Sequence, residues 1–422
     1  MQSQHWPAAR RTFVAALLLF VITIVIGILN GLDVYSPDHD TLITHVHAGT
    51  VGWITMGVSG IALLMFGGNR VLSDDEVRKG NTLAWAVTWA ITLYVAAFFA
   101  GDRIPGDRIW RPIFGTVLLV VVIWFLVWLT RQYREGGRSV AKLGLYLAWI
   151  SLLIGAVFGI VLGIYTSQGE VPGLGDDTAV AIADAHPPAM VIGFLILAAM
   201  AVIEWLLRGN ESWTKAGATH MWLLFVAGVM ANVAFIAGAE EALLGPANLL
   251  MIIGIFMLVG RSWAQVKPSG WRSAGTGVFP RLATLFLLVY LALGTTVIVL
   301  IVSETMDVDA LTESQLGLVL TFDHSMFIGV MTLLLFGVVS SRLHGTTVTT
   351  VDRIIYWGVP IGLVLFGIGL MTVEALPKQI GTPIMGTALL IGIASYVMEM
   401  TRGPTPATGA EPRSEMPRRY SG

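Results

Sequence analysis

The stretch Thr44–Gly60, which reads THVHAGTVGWITMGVSG, decides the fold because it sets polar histidines at the start of a long apolar segment. Comparable stretches follow at 184–200, DAHPPAMVIGFLILAAM, and at 322–337, FDHSMFIGVMTLLLFG. Counted from His47, the histidines of the three stretches are separated by 139 and 138 residues, and each is followed by a glycine after five to seven residues. Spacing this regular predicts three repeated units that place equivalent side chains at one depth.

Composition places these stretches in a membrane. Of the 422 residues, 55% are hydrophobic and only 12% are charged, whereas soluble proteins carry roughly 25% charged residues. A spanning helix needs about 20 mostly apolar residues, and twelve segments meet this requirement. The predicted spans are Phe13–Leu32, Thr44–Phe66, Leu83–Ala100, Ile113–Thr130, Leu143–Tyr165, Ala181–Leu207, Ala218–Ala237, Ala247–Gly260, Leu282–Val302, Leu316–Val339, Ile354–Thr372 and Thr382–Met400.

We therefore expect an all-α polytopic membrane protein, with twelve transmembrane helices in a pseudo-threefold arrangement of four-helix units. The membrane region is predicted to be a single domain, 1–403, with repeat units at about 12–135, 140–265 and 280–401. Two six-helix halves, as in many transporters, are the alternative division. The tail 404–422 is rich in Pro, Ser and Arg and is predicted to be a disordered cytoplasmic segment.

The distribution of charge predicts the orientation. With the N-terminus inside, every Lys and Arg except Arg103, Arg108, Arg111 and Lys378 falls in a loop or tail on the cytoplasmic side. Such a bias of positive charge predicts a multi-pass protein of the plasma membrane, surrounded by lipid, with both termini in the cytoplasm. The net charge of −2 argues against nucleic acid as a partner.

The histidines at the start of three spans are the candidate functional residues. Imidazoles inside a bilayer are rare and usually functional, although a hydrogen bond between helices explains a single one equally well. The candidate metal ligands are His47, His186 and His324. The candidate cofactor-binding residues are His45, His47 and His324, with Lys378 as the cation on the same side of the membrane.

His45 and His47 are two residues apart, so on a helix only one of them can face a given centre. We favour His47 as the ligand. Measured to the following glycine, however, His47 matches His324 and His45 matches His186. Two facing imidazoles form a low-spin haem site with propionates toward the near water interface, whereas three imidazoles could hold copper. The chain has no cysteine, so a haem would be bound non-covalently.

The remaining polar residues near the spans have simpler interpretations. Asp184 and Asp323 flank histidines and could hydrogen-bond an imidazole, or could be solvated at the interface. The other four histidines are predicted to face solvent; they are His5, His39, His220 and His344.

With these residues in view, the chain resembles the haem–copper oxidase subunit I superfamily across its whole membrane region. The resemblance implies twelve spans in three four-helix units, with ligand histidines on spans 2, 6, 7 and 10. His45 or His47 falls at the span 2 haem ligand, His324 at the span 10 histidines, and His186, followed by proline, at the span 6 copper ligand. The implied cofactors are haem b and a copper ion.

The chain departs from that family pattern at three places. Span 7 lacks paired histidines because His220 lies at its cytoplasmic end, and Met326 stands where span 10 would carry its second histidine. Met190 replaces a tyrosine expected four residues after His186. The chain therefore lacks residues that the family uses for its copper centre, its high-spin haem and the reduction of oxygen.

A second, weaker resemblance is to the NnrS-type membrane proteins, which contain haem and copper. The H-x-H of His45 and His47 is similar to theirs, as is the series His324, Gly329 and His344. Their longer motifs are absent from this chain.

Three functions follow from these patterns. The first is a membrane redox protein with a bis-histidine haem b and a copper site at His186. If it were an enzyme, it would be an oxidoreductase of the oxidase or nitric-oxide reductase type, supplied by an electron-donor protein or quinol. The second is a twelve-span transporter that uses the histidines as a proton or metal relay. The third is a cofactor-free assembly subunit.

Overall fold

A computed structural model of the protein describes residues 3–68, 71–103, 107–209, 213–271, 275–307 and 310–402. The tail predicted to be disordered lies outside these residues. Helices make up 87% of the structure, and no strand occurs among the residues that are described. Twelve of the helices are long and apolar enough to cross a membrane. The predicted class, an all-α polytopic membrane protein, is confirmed.

The spanning helices are numbered here in chain order. They are α1 Trp6–Gly31, α2 His39–Gly67, α3 Asp74–Ala100, α4 Trp110–Glu135, α5 Val140–Gln168, α6 Asp176–Arg208, α7 Lys215–Ala237, α8 Glu240–Arg261, α9 Gly275–Val302, α10 Glu313–His344, α11 Thr350–Thr372 and α12 Ala375–Thr401.

Most of these helices are longer than the apolar segments that predict them. Helix α3 begins at Asp74, nine residues before the predicted edge, because Ser73 and Glu76 form a reciprocal capping box. Thr312 with Gln315 extends α10 in the same way. Helix α8 begins before Pro246, so the shortest predicted span is a full crossing. The capping groups lie in a polar first turn. A search for apolar segments leaves this turn out, so the predicted helix starts too late.

Three helices form an inner layer, and the other nine surround it. In the most apolar window of α2, α6 and α10, the buried shares are 94%, 67% and 72%, and no other spanning helix exceeds 50%. Helix α1 packs on α2 and α3 and also on α12, so the surrounding helices close into a ring. Trp53 of α2 donates a hydrogen bond to the Thr332 hydroxyl of α10 over 2.9 Å, which joins two inner helices directly.

Each inner helix contains a π-helical segment. These segments are Ala48–Thr55 in α2, Ala189–Leu195 in α6 and Ser325–Thr332 in α10. Every one begins within three residues of a candidate histidine. A π-helical turn widens the helix and is frequent at functional sites. The same distortion at the same place in three helices is the first structural sign of the repeat.

The end of the bundle where α2, α6 and α10 begin is called the histidine side below. The opposite side is held together by ion pairs between helices. Glu204 of α6 is fully buried and accepts a hydrogen bond from Arg261 of α8 over 2.7 Å. His344 of α10 bonds Glu399 of α12 over 2.7 Å. A carboxylate buried at this depth needs such a partner.

Candidate functional site

The burial of residues in the inner helices changes along their length. Every residue is buried in 51–67 of α2, 193–204 of α6 and 329–340 of α10. On the histidine side of these runs, buried and accessible residues alternate, and the candidate histidines are half-buried. The inner helices are therefore fully buried toward the opposite side and partly accessible around the histidines.

A glycine lies first or second in each tightly packed run, and it packs on the preceding helix of the chain. Gly52 packs on Leu19 of α1, and Gly193 packs on Ser151 of α5. Gly329 lies so close to Phe286 of α9 that an added Cβ would be 2.6 Å from its ring. We call Gly52, Gly193 and Gly329 the anchor glycines. Positions −7 and −5 are the residues seven and five before the anchor glycine of each inner helix.

Position −7 is occupied by His45 in α2 and His186 in α6. The Nδ1 of His45 donates to the Thr23 carbonyl over 2.9 Å, and that of His186 donates to the Gly155 carbonyl over 2.8 Å. The two acceptors are equivalent, since each lies four residues after the side chain that contacts the anchor glycine. In α10 this position is Phe322, which stacks on an aromatic ring of α9 at 4.3 Å.

Position −5 is occupied by His47 in α2 and His324 in α10. Each ring donates from Nδ1 to the carbonyl four residues earlier in its own helix, at 2.9 Å for His47 and 2.7 Å for His324. Each also packs on a phenylalanine of the next helix: Phe98 of α3 stacks on His47 at 3.8 Å, and Phe366 of α11 lies 5.0 Å from His324. In α6 this position is Pro188.

The hydrogen bonds fix the protonation of all four rings. A carbonyl oxygen only accepts, so each neutral imidazole carries its proton on Nδ1 and its lone pair on Nε2. No hydrogen bond to these Nε2 atoms occurs within the described part of the chain. An imidazole with Nδ1–H on a backbone carbonyl and a free Nε2 is the usual state of a metal-ligating histidine.

His45 and His47 leave α2 in different directions. The His45 ring lies against Thr23 and Gly27 of α1, whereas the His47 ring stacks on Phe98 of α3. Helix α2 adjoins α10, which carries His324. We call the histidines His45 and His324 the α2/α10 site and the histidines His47 and His186 the α2/α6 site. The two residues of the H-x-H point away from each other, as their separation of about 200° on a helix requires.

Within the described ranges no group of three His, Cys, Asp or Glu side chains is arranged to hold a metal ion. The candidate ligands His47, His186 and His324 therefore form no ready-made three-imidazole centre in the part of the chain that the structure describes. A copper ion at these histidines stays a prediction from the sequence.

Each site has a cation near the water interface of the histidine side. Lys378, in the first turn of α12, contacts Asp33 at 2.6 Å, and this hydrogen bond lowers the pKa of the Asp33 carboxyl. Arg111, in the first turn of α4, contacts Asp40 at 2.5 Å. Its guanidinium lies 4.9 Å from the Phe98 ring, which in turn covers His47. The side chain of Arg111 is only 5% exposed.

The neighbouring carboxylates do not assist the histidines. Asp184 is exposed and Asp323 is half-buried, and neither hydrogen-bonds an imidazole in the described structure. Backbone carbonyls take that role instead. The phenylalanines and carbonyls that hold the rings have no distinctive sequence pattern. The spacing to the anchor glycine is the one signal that separates positions −7 and −5.

The prediction that the remaining histidines face solvent is correct for one of them. His39 is exposed. His5 and His220 are 1% and 0% exposed, and His344 is largely buried against Glu399. The prediction was wrong for these three because the ends of the spanning segments pack against neighbouring helices and do not reach solvent.

No protein-family model matches this chain, and no curated protein matches it.

Proposed function

We propose that this protein is an integral-membrane haem protein whose α2/α10 site holds a low-spin haem b between His45 and His324. The observation that carries the proposal is that two imidazoles lie on adjoining inner helices, each fixed through Nδ1 and each without a hydrogen bond to Nε2 among the described residues. Two neutral imidazoles are a suitable axial ligand set for haem iron. A bound haem would supply one-electron redox chemistry.

The surroundings of the pair support haem. Phe366 packs on the His324 ring, and the His45 ring packs closely on Gly27, where an added Cβ would be 3.1 Å from it. Lys378 lies on the histidine side in α12, with a half-exposed Asp33 as its partner. A haem brings two carboxylates, and a cation at the near interface would pair with one of them.

The proposed role is electron transfer. Helix α7 brings no histidine to the histidine side, because His220 lies within the first turns at its opposite end. The residues for an adjoining copper centre are thus not supplied by that helix. We further propose that the protein lies in the plasma membrane with both termini in the cytoplasm, because Lys and Arg concentrate on that side. An electron-donor protein or quinol would then be the partner.

The test is the visible spectrum of protein purified in detergent from haem-replete cells. The expected result is a reduced-minus-oxidised b-type spectrum and a ferric low-spin resonance. Both should be lost from the α2/α10 site in His45→Ala and His324→Ala. His39→Ala, an exposed histidine of the same helix, is the matched control and should keep the spectrum. A colourless wild-type preparation would refute the proposal.

A further inference from the structure

We infer that a groove between α7 and α8 binds one anionic phospholipid, with the lipid phosphate on Lys215 and an acyl chain along the groove. The groove has a volume of about 570 Å³ and begins at the end of α7 opposite to the histidine side. None of the residues that line it is part of the proposed haem site. The inference is therefore independent of the haem.

Apolar side chains form most of the groove wall. They include Trp213 just before α7, Trp222 and Val226 of α7, and Leu250 of α8. Trp213, Trp222 and Val226 are 42%, 48% and 42% exposed, so the described structure leaves much of their surface uncovered. Outer helices present apolar side chains to lipid everywhere, but here these side chains line a concavity between two helices. A concavity can hold one ligand in a fixed place.

The length of the groove matches one leaflet of a bilayer. Val226 lies eleven residues after Lys215 in α7, and Leu250 lies eleven residues before Arg261 in α8. At a rise of about 1.5 Å per residue, both apolar residues are roughly 16 Å deeper than the cations. The hydrocarbon core of a bilayer is about 30 Å thick, so the groove reaches its midplane. An acyl chain that starts at Lys215 can follow this whole length.

The shallow end of the groove carries an excess of positive charge. Lys215 is exposed and has no ion pair within the described ranges. Arg261 of α8 donates a hydrogen bond to the hydroxyl of Thr214, the N-cap of α7, and pairs with Glu204 at 2.7 Å. Arg208 shares that buried carboxylate at 3.3 Å. Three cations thus adjoin one carboxylate, which favours an anionic ligand over a zwitterionic one.

The backbone and Trp222 complement the other parts of such a lipid. The N-terminus of a helix carries partial positive charge and favours phosphate groups, and Lys215 lies in the first turn of α7. Trp222 lies seven residues further along α7, roughly 10 Å deeper. Its indole N–H has no acceptor among the described residues. An ester carbonyl of the lipid, which lies deeper than the phosphate, can accept from it.

Other occupants fit the groove less well. A symmetric contact between two copies of this chain through the groove would bring two positive ends together, and they would repel each other. A soluble partner could not reach Val226 and Leu250 inside the membrane. Anionic lipids concentrate in the cytoplasmic leaflet, and Lys and Arg of this chain concentrate on the same side as Lys215.

The test is the lipid retained by the purified full chain in detergent micelles that contain dioleoyl phosphatidylglycerol or dioleoyl phosphatidylcholine, measured by native mass spectrometry. The wild type should bind one phosphatidylglycerol about five-fold more tightly than phosphatidylcholine. Lys215→Gln should lose most of this preference. Lys79→Gln should keep it and is the matched control, because Lys79 lies near the start of α3 on the same side and pairs with Asp75 at 2.5 Å.

A second variant separates the groove from its charge. Ala218→Phe fills part of the groove and keeps Lys215, so it should weaken the binding of both lipids. Thermal unfolding identifies a variant that has lost its fold, and Lys215→Gln changes only an exposed side chain. Equal retention of the two lipids by the wild type, or equal losses in Lys215→Gln and Lys79→Gln, would overturn the inference. A dimer in detergent that dissociates in Ala218→Phe would also overturn it, because a second copy would then occupy the groove.

Discussion

The α2/α10 site and the junction between α6 and α10 are built on the same backbone plan and differ in their side chains. Both are framed by an anchor glycine, a π-helical segment and a second glycine that faces position −7. One presents His45 and His324, and the other presents Pro188 and Phe322. The comparison teaches that one backbone plan is repeated and that two side chains decide where it carries imidazoles.

The largest expected effect comes from exchanging ligands for alanine at one site. His45→Ala with His324→Ala should abolish the haem of the α2/α10 site, because both axial ligands are lost. Phe322→Leu at the junction without histidines should leave the haem content unchanged. The number of haems per polypeptide is measured for the double variant and for Phe322→Leu. An equal loss in Phe322→Leu would show that the spectrum depends on the integrity of the fold and not on the imidazoles.

A partial loss is expected when the space beside the imidazole is filled. Gly27→Val presses on the His45 ring and should reduce the haem of the α2/α10 site several-fold. Gly294→Val presses on Phe322 and should destabilise the protein by about 1–3 kcal/mol without loss of haem. Haem content and thermal unfolding distinguish the two outcomes. Equal haem loss in both variants contradicts the comparison.

A smaller effect is expected from the phenylalanines that orient the position −5 rings. Phe98→Leu removes the ring stacked on His47, and Phe366→Leu removes the ring beside His324. Phe366→Leu should shift the low-spin resonance of the α2/α10 site and keep the haem bound, whereas Phe98→Leu should leave that resonance unchanged. A shift in Phe98→Leu, or none in Phe366→Leu, would argue against His324 as the ligand.

The smallest effect is expected from the ion pair at the water interface. The pKa of Asp33 is lowered by Lys378, so the carboxylate is charged at neutral pH and the pair contributes stability there. This contribution falls away as the pH drops below the ordinary value of 3.8 and through the lowered pKa. Lys378→Gln should cost at most about 1 kcal/mol at neutral pH.

Thermal unfolding of wild type and Lys378→Gln between pH 7 and pH 3 tests this last expectation. The difference between them should shrink toward the acid end of the range. A difference that stays constant would mean that Lys378 acts through packing and not through the Asp33 carboxylate.

Much of the fold could be predicted from the sequence, because apolar windows and the distribution of Lys and Arg depend on local composition. All twelve spans are present, and the spacing that relates His45 to His186 and His47 to His324 matches their equivalent hydrogen bonds. Helix ends were less predictable, since capping groups such as Ser73 extend a helix beyond its apolar part.

The direction of each histidine could not be predicted from one sequence. It depends on which helices adjoin on which face, and π-helical segments change the direction of every side chain that follows them. The sequence favours His47 over His45 as one ligand, whereas in the structure His45 contacts α1 and His47 contacts α3. Phe98, Phe366 and the Gly155 carbonyl carry no motif, so their roles emerge only from the packed bundle.

The central claim is that the free Nε2 atoms of His45 and His324 ligate haem iron. The most direct test is the reduced-minus-oxidised spectrum of the purified wild type beside that of His324→Ala, at equal protein concentration. We predict a b-type spectrum in the wild type that decreases by one haem equivalent in the variant. Identical spectra, or a wild-type protein without haem, would contradict the claim.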